Sequence, residues 1–332
     1  MVSQPVFSIL TSAHQNEQYL TEMIDSVRSQ TFDGWELIIV DGMSDETVRI
    51  VAGYGDDERI RLVRHVYQGL GSAVDAAAAV ARGRYYAVVH GDDVLKPTFC
   101  ERTHAVLDKN PGIDAVGVDA YAFLDDGQLQ PPSFRQRSGV TSEPGIDHRV
   151  QLVDVIRGAA LYYTAAIRVE AWKIGVGYTC DTPKVEDLAM FLRMLAAGCD
   201  IRVLPEQLAG YRLHEDTARG VRFDQEEYED SVERAFAKVA TLTNAPDVPK
   251  ELDQRLRKLR YQRAMRRART ALQESDTVTA RQQVRLALQQ RRAGKPAVIY
   301  AVLLVAPGLL RHGQAAKLKV RGLVAALARR RG

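Results

Sequence analysis

The clearest structural signal in this chain is the segment Trp35-Glu36-Leu37-Ile38-Ile39-Val40-Asp41-Gly42. Its apolar run ends abruptly at the turn dipeptide Asp41-Gly42, which is typical of a buried strand that stops at a loop. A helical pattern follows from Asp45 to Gly53. A strand, a turn and a helix in this order predict one unit of an α/β sheet.

The same unit recurs before and after this stretch. The pattern predicts further strands at Val6–Thr11, Ile60–Val66 and Tyr85–His90, and further helices at Tyr19–Ser29 and Ser72–Ala81. Alternating strands and helices predict a mostly parallel sheet covered by helices on both faces. After about residue 225 the pattern becomes helical and rich in arginine.

Three of the predicted strands end in polar residues, namely Thr11, Asp41 and the pair Asp92-Asp93. Ligands gather at the carboxyl ends of strands in such sheets, so we expect these residues to share one crevice. Adjacent carboxylates at the end of a buried strand are costly unless a positive group faces them. A Mg²⁺ or Mn²⁺ ion would satisfy them and bridge a nucleoside diphosphate; an exposed acidic turn is the alternative interpretation.

Charge is distributed unevenly along the 332 residues, although the formal net charge is only +3. From Lys250 onward there are 21 Lys and Arg against 4 Asp and Glu, a net charge of +17, which leaves −14 for the first 249 residues. An acidic half suits a divalent cation, whereas a basic half is attracted to phosphate-bearing surfaces such as anionic lipid. The chain therefore combines two electrostatic characters.

The cysteines and the N-terminus give information about the cellular compartment of the protein. Cys100, Cys180 and Cys199 are widely spaced and form no zinc or disulfide pattern. The first residues lack a basic segment followed by an apolar run, which would indicate a secretory signal. These features predict a cytoplasmic protein.

Four blocks in order resemble one enzyme family. They are Ile9 to Leu20, Trp35 to Asp45, Gly69 to Gly83 and Tyr85 to Asp93. Together they are similar to the family 2 inverting glycosyltransferases, which have the GT-A fold, a Rossmann-like mostly parallel sheet sandwiched by helices. The resemblance covers about residues 5 to 220 and implies transfer of a sugar from a nucleoside diphosphate.

The resemblance also implies roles on the donor side. Asp41 would accept a hydrogen bond from the nucleobase, and Asp93, with Asp92 behind it, would hold Mg²⁺ or Mn²⁺. The nucleotide-binding residues that it implies are Thr11, His14, Glu17, Asp41 and Asp92.

The chain departs from the family pattern at several of these positions. His14-Gln15 stands where the family usually has Tyr-Asn, and Gly42 follows Asp41 where a second Asp is more usual. His90 replaces an acid often found at the start of the metal motif, and Asp75 stands where Asn is more common. Both central carboxylates, Asp92 and Asp93, are nevertheless present.

An acidic pair, Glu186-Asp187, resembles the acceptor-side motif of the family. Inverting transfer needs a base that takes the proton of the acceptor hydroxyl as that oxygen attacks the anomeric carbon. The resemblance implies that Asp187 is this base and that Glu186 orients the site or binds acceptor hydroxyls. The alternative interpretation is that both carboxylates cap a helix N-terminus.

The block Gly210-Tyr211-Arg212-Leu213-His214 resembles the segment that closes the catalytic domain in many relatives. His214 would approach the metal or the diphosphate, and Arg212 would offset phosphate charge. The alternative interpretation is that His214 has only a structural role.

The C-terminal region divides into two further parts, so we predict a catalytic domain over residues 1–224, a basic helical extension over 225–296 and a tail over 297–332. The tail begins with an apolar run, Ala297 to Leu310, that is shorter than a spanning helix requires. Apolar residues then recur at helical spacing from Ala316 to Leu327 among Lys and Arg, which predicts an amphipathic helix on an anionic membrane. Packing on the catalytic domain or homo-oligomerisation is the alternative.

Two other functional classes were weighed against a glycosyltransferase. A dinucleotide oxidoreductase would need a glycine-rich fingerprint after the first strand, and Thr11 to Gln15 contains no glycine. A non-catalytic protein that binds nucleic acid or membrane through the basic tail would not need Asp93 or Asp187, and no nucleic-acid recognition motif is present. The sequence therefore predicts an inverting glycosyltransferase that acts on a glycan or lipid-linked acceptor, at the cytoplasmic face of the membrane, in bacterial surface polysaccharide or glycolipid synthesis.

Overall fold

An eight-stranded sheet forms the framework of the N-terminal part of the protein. This computed structural model describes residues 4–42, 44–140, 142–214 and 224–291. The strands are β1 (Phe7–Ser12), β2 (Trp35–Asp41), β3 (Ile60–Arg64), β4 (Tyr85–Val88), β5 (Val94–Leu95), β6 (Ala115–Phe123), β7 (Thr164–Arg168) and β8 (Ile201–Arg212). Their spatial order is β3-β2-β1-β4-β7-β6-β8-β5.

Helices connect the strands and continue after the sheet. Those that the structure describes are α1 (Glu17–Arg28), α2 (Asp45–Ala52), α3 (Leu70–Val80), α4 (Phe99–Lys109), α5 (Phe134–Arg137), α6 (Leu152–Arg157), α7 (Val169–Ile174), α8 (Glu186–Ala196), α9 (Gln225–Val239), α10 (Val248–Gln273) and α11 (Thr277–Gln290). The mixed α/β fold and the helical region after about residue 225 confirm the predicted fold class.

The strand pairing brings the polar strand ends to one edge. β1 pairs in parallel with both β2 and β4, with Thr11 opposite Ile39 and Leu10 opposite Val88. The far half of the sheet is mixed, because β7 is antiparallel to β4 and β6, and β5 is antiparallel to β8. The pairing of Val94 with Gly210 brings the turn after β4 next to the end of β8.

Buried apolar side chains of β1, β2, α1 and α4 fill the core around the first strands, among them Phe7, Trp35, Leu37 and Phe99. A charged group, Glu36, is buried next to this core. Glu36, 1% exposed, accepts hydrogen bonds from the hydroxyl of Ser8 at 2.7 Å and from Arg82 and Arg61. These donors offset the cost of burying the charge. The carboxylate of β2 is thereby linked to β1, to β3 and to the segment before β4.

The chain divides after Leu252 into two compact units. The first unit includes α9, which packs on α8. The division between the units therefore comes later in the chain than the boundary near residue 225 that the sequence pattern suggested. In the second unit α10 and α11 share a small apolar cluster that includes Ala268, Leu272 and Val284. The predicted tail, with Ala297 to Leu310 and Ala316 to Leu327, lies outside the described residues. Within the described part, no helix has the length and apolarity needed to cross a membrane.

Candidate active site

Two buried polar atoms without partners mark the ends of β1 and β2. Asp41 is 1% exposed, and its Oδ1 accepts the backbone N–H of Ser44 at 3.0 Å. Its Oδ2, and the Oγ1 of the fully buried Thr11, have no hydrogen-bond partner among the described residues. Buried polar atoms are rarely left unpaired in folded proteins. Both atoms are therefore available to a polar ligand.

His14 lies near Gly42, the residue after Asp41, on the loop that leads into α1. Its ring stacks on that of Tyr67, with centroids 3.7 Å apart and planes inclined by 20°. Gly42 adjoins the pair, since a Cβ there would come within 3.1 Å of His14 Nδ1. Glu17, the first residue of α1, lines an open surface depression near this loop. The structure thus brings Thr11, His14 and Asp41 together, with Glu17 at the rim.

The two carboxylates after β4 differ sharply in their surroundings. Asp93 is 2% exposed; its Oδ1 accepts the backbone N–H of Arg212 at 2.7 Å, and its Oδ2 accepts the hydroxyl of Tyr163. Burial first, and the neighbouring Asp92 second, raise the pKa of Asp93 to about 7. Both Asp93 oxygens are therefore occupied within the protein.

Asp92 lies on the outer side, with 22% of its side chain exposed. Its Oδ2 lies 2.7 Å from Nε2 of His214. Although burial opposes ionisation, the hydrogen bond from His214 holds the pKa of Asp92 below its ordinary value. The same contact raises the pKa of His214. These two side chains form a charge-assisted pair at the surface of the crevice.

The two aspartates differ in depth, and the prediction that Asp93 holds the metal stays a prediction. Asp93 was expected in front, with Asp92 behind it, whereas Asp92 is the more exposed of the two and Asp93 is the inner one. The physical reason is the register of β5 against β8, which places the backbone N–H of Arg212 directly on Asp93. No pattern in the linear sequence reports that contact.

Arg212 is itself buried, at 3% exposure. Its Nε donates to the carbonyl of Asp92 at 2.7 Å, and its guanidinium pairs with Glu22 at 2.5 Å. The guanidinium also lies over the rings of Tyr19 and Phe123, each 4.5 Å from the centroid. Arg212 is thus engaged in holding the turn after β4, although the sequence predicted a phosphate contact.

The second acidic pair begins helix α8. Glu186 is 4% exposed, and burial is the main cause that raises its pKa to about 7. It accepts a hydrogen bond from the backbone of Gly71 in α3, which ties the two helices together. Asp187 is partly exposed, and burial also raises its pKa. A carboxylate with a raised pKa is a stronger base than an ordinary one.

His90 lies within electrostatic reach of both acidic pairs. Desolvation opposes protonation of this ring, but Asp92-Asp93 and Glu186-Asp187 together raise the pKa of His90 above its ordinary value. Geometry places the two pairs near each other, because Tyr163 donates to Asp93 while the adjacent Tyr162 packs on Phe191, about one helical turn beyond Asp187 in α8.

A divalent metal fits this crevice with few protein ligands. Within the described residues, no group of three or more His, Cys, Asp or Glu side chains could hold a metal. Asp92 and His214 would offer a carboxylate oxygen and an imidazole nitrogen side by side once Nε2 of His214 gives up the proton that it donates to Asp92. Mg²⁺ sites commonly use one or two carboxylates and complete their coordination with substrate phosphates. The donor set is compatible with a metal that arrives with a diphosphate.

Two residues of the site were missed by sequence reasoning. Tyr163 reaches Asp93 from the loop before β7, and Tyr67 reaches His14 from the loop before α3. Neither lies within a regular spacing from its partner. Only the three-dimensional pairing of the strands brings them into contact.

Comparisons with known proteins agree with this geometry. The model of the family described as "Glycosyl transferase family 2" matches residues 8–176. An uncharacterized glycosyltransferase of Haemophilus influenzae is 25% identical over 64% of this chain and 67% of its own length. The putative glycosyltransferase EpsE of Bacillus subtilis is 29% identical over 65% of this chain and 76% of its own length. Putative EpsH of the same organism is 34% identical, but the chain spans only 29% of its length.

Solved structures share the fold at low sequence identity. S. aureus TarS residues 1–349 in complex with UDP-GlcNAc has a TM-score of 0.62 and 16% identity, covering 95% of this chain and 92% of that one. The mannosyltransferase PcManGT of Pyrobaculum calidifontis, in complex with GDP-Man and Mn²⁺, has a TM-score of 0.62 and 14% identity, covering 97% and 81%.

The family match spans half of the chain and includes the strands that carry Thr11, Asp41 and Asp92-Asp93. Nothing in these comparisons supports a dinucleotide oxidoreductase or a non-catalytic binding protein. This chain belongs to glycosyl transferase family 2 and is a glycosyltransferase.

Proposed function

We propose that this protein is a metal-dependent inverting glycosyltransferase that transfers a sugar, of the hexosyl type, from a nucleoside diphosphate sugar. The acceptor is a glycan or a lipid-linked glycan in bacterial surface polysaccharide or glycolipid synthesis. One observation carries this proposal. Adjacent tyrosines link the acidic pair at the end of β4 to the helix that begins with the second acidic pair: Tyr163 donates to Asp93, and Tyr162 packs on Phe191 of α8.

The donor nucleotide binds at the ends of β1 and β2. Asp41 Oδ2 accepts an N–H of the base, and the hydroxyl of Thr11 contacts a polar edge of the base or ribose. Both atoms are buried and without partners among the described residues, so a ligand that pairs with them offsets an existing cost. His14 offers a ring for stacking.

Asp92 and His214 would hold Mg²⁺ or Mn²⁺, with Asp93 behind them. When bound, this ion offsets the charge of the diphosphate and stabilises it as a leaving group. Two observations support this assignment. Asp92 and His214 lie next to each other, whereas both carboxylate oxygens of Asp93 already accept hydrogen bonds from Tyr163 and Arg212. PcManGT, a structural neighbour, is in complex with Mn²⁺.

Asp187 takes the proton of the acceptor hydroxyl while the oxygen of that hydroxyl attacks the anomeric carbon. Inversion follows because the base and the leaving diphosphate lie on opposite faces of the sugar. Burial raises the pKa of Asp187, which favours proton transfer from a weakly acidic alcohol. Glu186 holds the start of α8 against Gly71, and thereby orients its neighbour.

Attachment to the cytoplasmic face of the membrane completes the proposal. The net charge of +17 from Lys250 onward supports it, because each Lys or Arg near an anionic surface contributes about 1 kcal/mol. Co-sedimentation with acidic vesicles, compared with a protein truncated near Gly294, tests this part. If both proteins stay in the supernatant at low salt, the tail serves packing or homo-oligomerisation.

Asp187→Asn tests the proposed reaction. The amide keeps the shape of the side chain but accepts no proton, so transfer should fall by about 10²- to 10⁴-fold. Calorimetry should show unchanged binding of the nucleoside diphosphate, which distinguishes a lost base from a damaged fold. Asp181→Asn, an exposed carboxylate in the loop before α8, is the matched control. Wild-type transfer by Asp187→Asn would show that Asp187 is not the base.

A further inference from the structure

The turn that follows α7, residues 175–179, has a strained backbone. Val176 lies in the left-handed region, with a φ of 60°, and so does Gly177. The N–H of Val176 donates to the carbonyl of Lys173 at 3.1 Å. The N–H of Gly177 donates to the carbonyl of Trp172 at 3.2 Å. Helices that end in this pair of hydrogen bonds usually have glycine at the left-handed position, whereas the β-branched Val176 adopts that conformation at a cost.

Arg193 of α8 holds this turn from outside. Val176 is 62% exposed, so burial of its side chain does not offset the strain. Nε of Arg193 donates to the carbonyl of Gly175 at 2.6 Å, and Nη2 donates to the carbonyl of Gly177 at 2.7 Å. The planar guanidinium thus spans the two carbonyls on either side of Val176, a geometry that the ammonium of lysine does not reproduce.

The clamp itself has an electrostatic cost. Arg193 is partly buried, and burial lowers its pKa, while the charge of Asp75 opposes that change. Strained backbone positions persist only where the surrounding structure holds them. Loss of the guanidinium would therefore release the strain at Val176 and let the turn change its conformation.

The turn contacts the elements that carry the acidic pair Glu186-Asp187. A Cβ at Gly175 would lie 2.8 Å from Cγ of Met194 in α8. A Cβ at Gly71, in the first turn of α3, would lie 3.1 Å from the carbonyl oxygen of Tyr178. The N–H of Gly71 is the group that donates to Glu186. The turn therefore contacts both α8 and the part of α3 that binds Glu186.

We propose that Arg193 is a positioning residue for the transfer reaction. By clamping residues 175–179 in their strained conformation, it keeps α3 and the start of α8 in one arrangement and holds Asp187 where the acceptor hydroxyl reaches it. This inference rests on the proposed role of Asp187 as the base. A displacement of about 1 Å at a catalytic group costs up to about 10²-fold in rate. Donor binding should depend much less on the clamp, because Thr11 and Asp41 belong to β1 and β2.

Arg193→Gln tests the positioning role, with Arg168→Gln as the matched control. Arg168 is also partly buried, and its guanidinium also donates to two backbone carbonyls, those of Ile113 and Leu107, at 2.8 and 2.7 Å. Release of UDP from UDP-GlcNAc or of GDP from GDP-Man measures kcat, and calorimetry measures the affinity for the diphosphate. Arg193→Gln should lower kcat by about tenfold or more and leave the affinity little changed. Arg168→Gln should leave both near their wild-type values.

A second substitution separates the clamp from a general loss of stability. Val176→Gly removes the strain, so the double variant with Arg193→Gln should recover most of the lost kcat. Acrylamide quenching of tryptophan fluorescence reports on the turn without any substrate, because Trp172 is 6% exposed and stacks on Tyr178 with ring centroids 5.7 Å apart. Quenching should increase in Arg193→Gln and return toward the wild-type value in the double variant. If Arg193→Gln does not fold, Arg193→Lys, which keeps the charge but loses the planar fork, replaces it.

The outcomes distinguish this inference from the proposed function. Wild-type kcat or wild-type quenching in the folded Arg193→Gln protein overturns the inference and leaves the proposed function standing. An equal loss of kcat in Arg168→Gln also overturns it, because the effect would then be one of stability. If Asp187→Asn transfers sugar at the wild-type rate, the proposed base is wrong and the inference falls with it.

Discussion

Tyr163→Phe removes one hydroxyl from the wall of the crevice and keeps the ring. That hydroxyl donates to Oδ2 of Asp93, and the ring packs against Phe134 and Tyr211 with centroids 5.1 and 5.8 Å away. Asp93 is 2% exposed, so water has little access to replace the lost donor. A hydrogen bond to a charged group contributes about 1.5–3 kcal/mol, and we expect the variant to lose about that much free energy of unfolding at alkaline pH.

The loss of stability in Tyr163→Phe should depend on pH. Burial raises the pKa of Asp93 to about 7, above its value in the unfolded chain, so its contribution to stability is lost as the pH rises through about 7. The Tyr163 hydroxyl favours the ionised carboxylate and limits that loss. The cost of Tyr163→Phe should therefore be larger at about pH 8 than at about pH 5.5.

Urea unfolding at both pH values measures the effect. Tyr162→Phe is the matched control, because the neighbouring tyrosine is also largely removed from solvent, and its ring packs on Phe191 of α8. Equal stability of Tyr163→Phe and wild type at about pH 8 would refute the reasoning. So would a loss of the same size at both pH values.

Three further predictions concern activity and folding. Because burial raises the pKa of Asp187 and the base must be ionised, kcat/KM should fall at a higher pH than an ordinary aspartate would give as the pH is lowered; a flat profile would contradict this. Glu36→Gln should destabilise the protein by about 3–5 kcal/mol in urea unfolding, because it breaks a buried ion-pair network; a change within about 0.5 kcal/mol would contradict that role. Gly83→Ala should reduce soluble yield sharply, since its Cβ would lie 2.6 Å from the backbone of β1, whereas Gly112→Ala has open space and should behave as wild type.

The first half of the fold was predictable from the sequence because its signals are local. The predicted strand Trp35 to Val40 became β2, Trp35–Asp41, and the predicted helix Asp45 to Gly53 became α2, Asp45–Ala52. Continuous apolar runs that end at turn residues specify buried parallel strands without knowledge of their partners. The placement of Thr11 and Asp41 in one crevice followed from the same rule.

The second half was less predictable because its pairing is not local. β5 is a two-residue strand, and its antiparallel contact with β8 joins Val94 to Gly210. That contact places Arg212 on Asp93, and it decides which aspartate is buried. Propensity and periodicity carry no information about a contact between residues 119 positions apart.

The central proposal is that Asp92, His214 and a divalent metal hold the diphosphate of the donor. The most direct test is calorimetric titration of UDP into wild-type protein with Mn²⁺, into wild type with a chelator, and into Asp92→Ala with Mn²⁺. Asp125→Ala, an exposed carboxylate 3.8 Å from His214, is the control. We predict binding for wild type and the control in Mn²⁺, and a loss of at least about tenfold with the chelator or in Asp92→Ala. Equal affinity for UDP under all of these conditions would contradict the proposal.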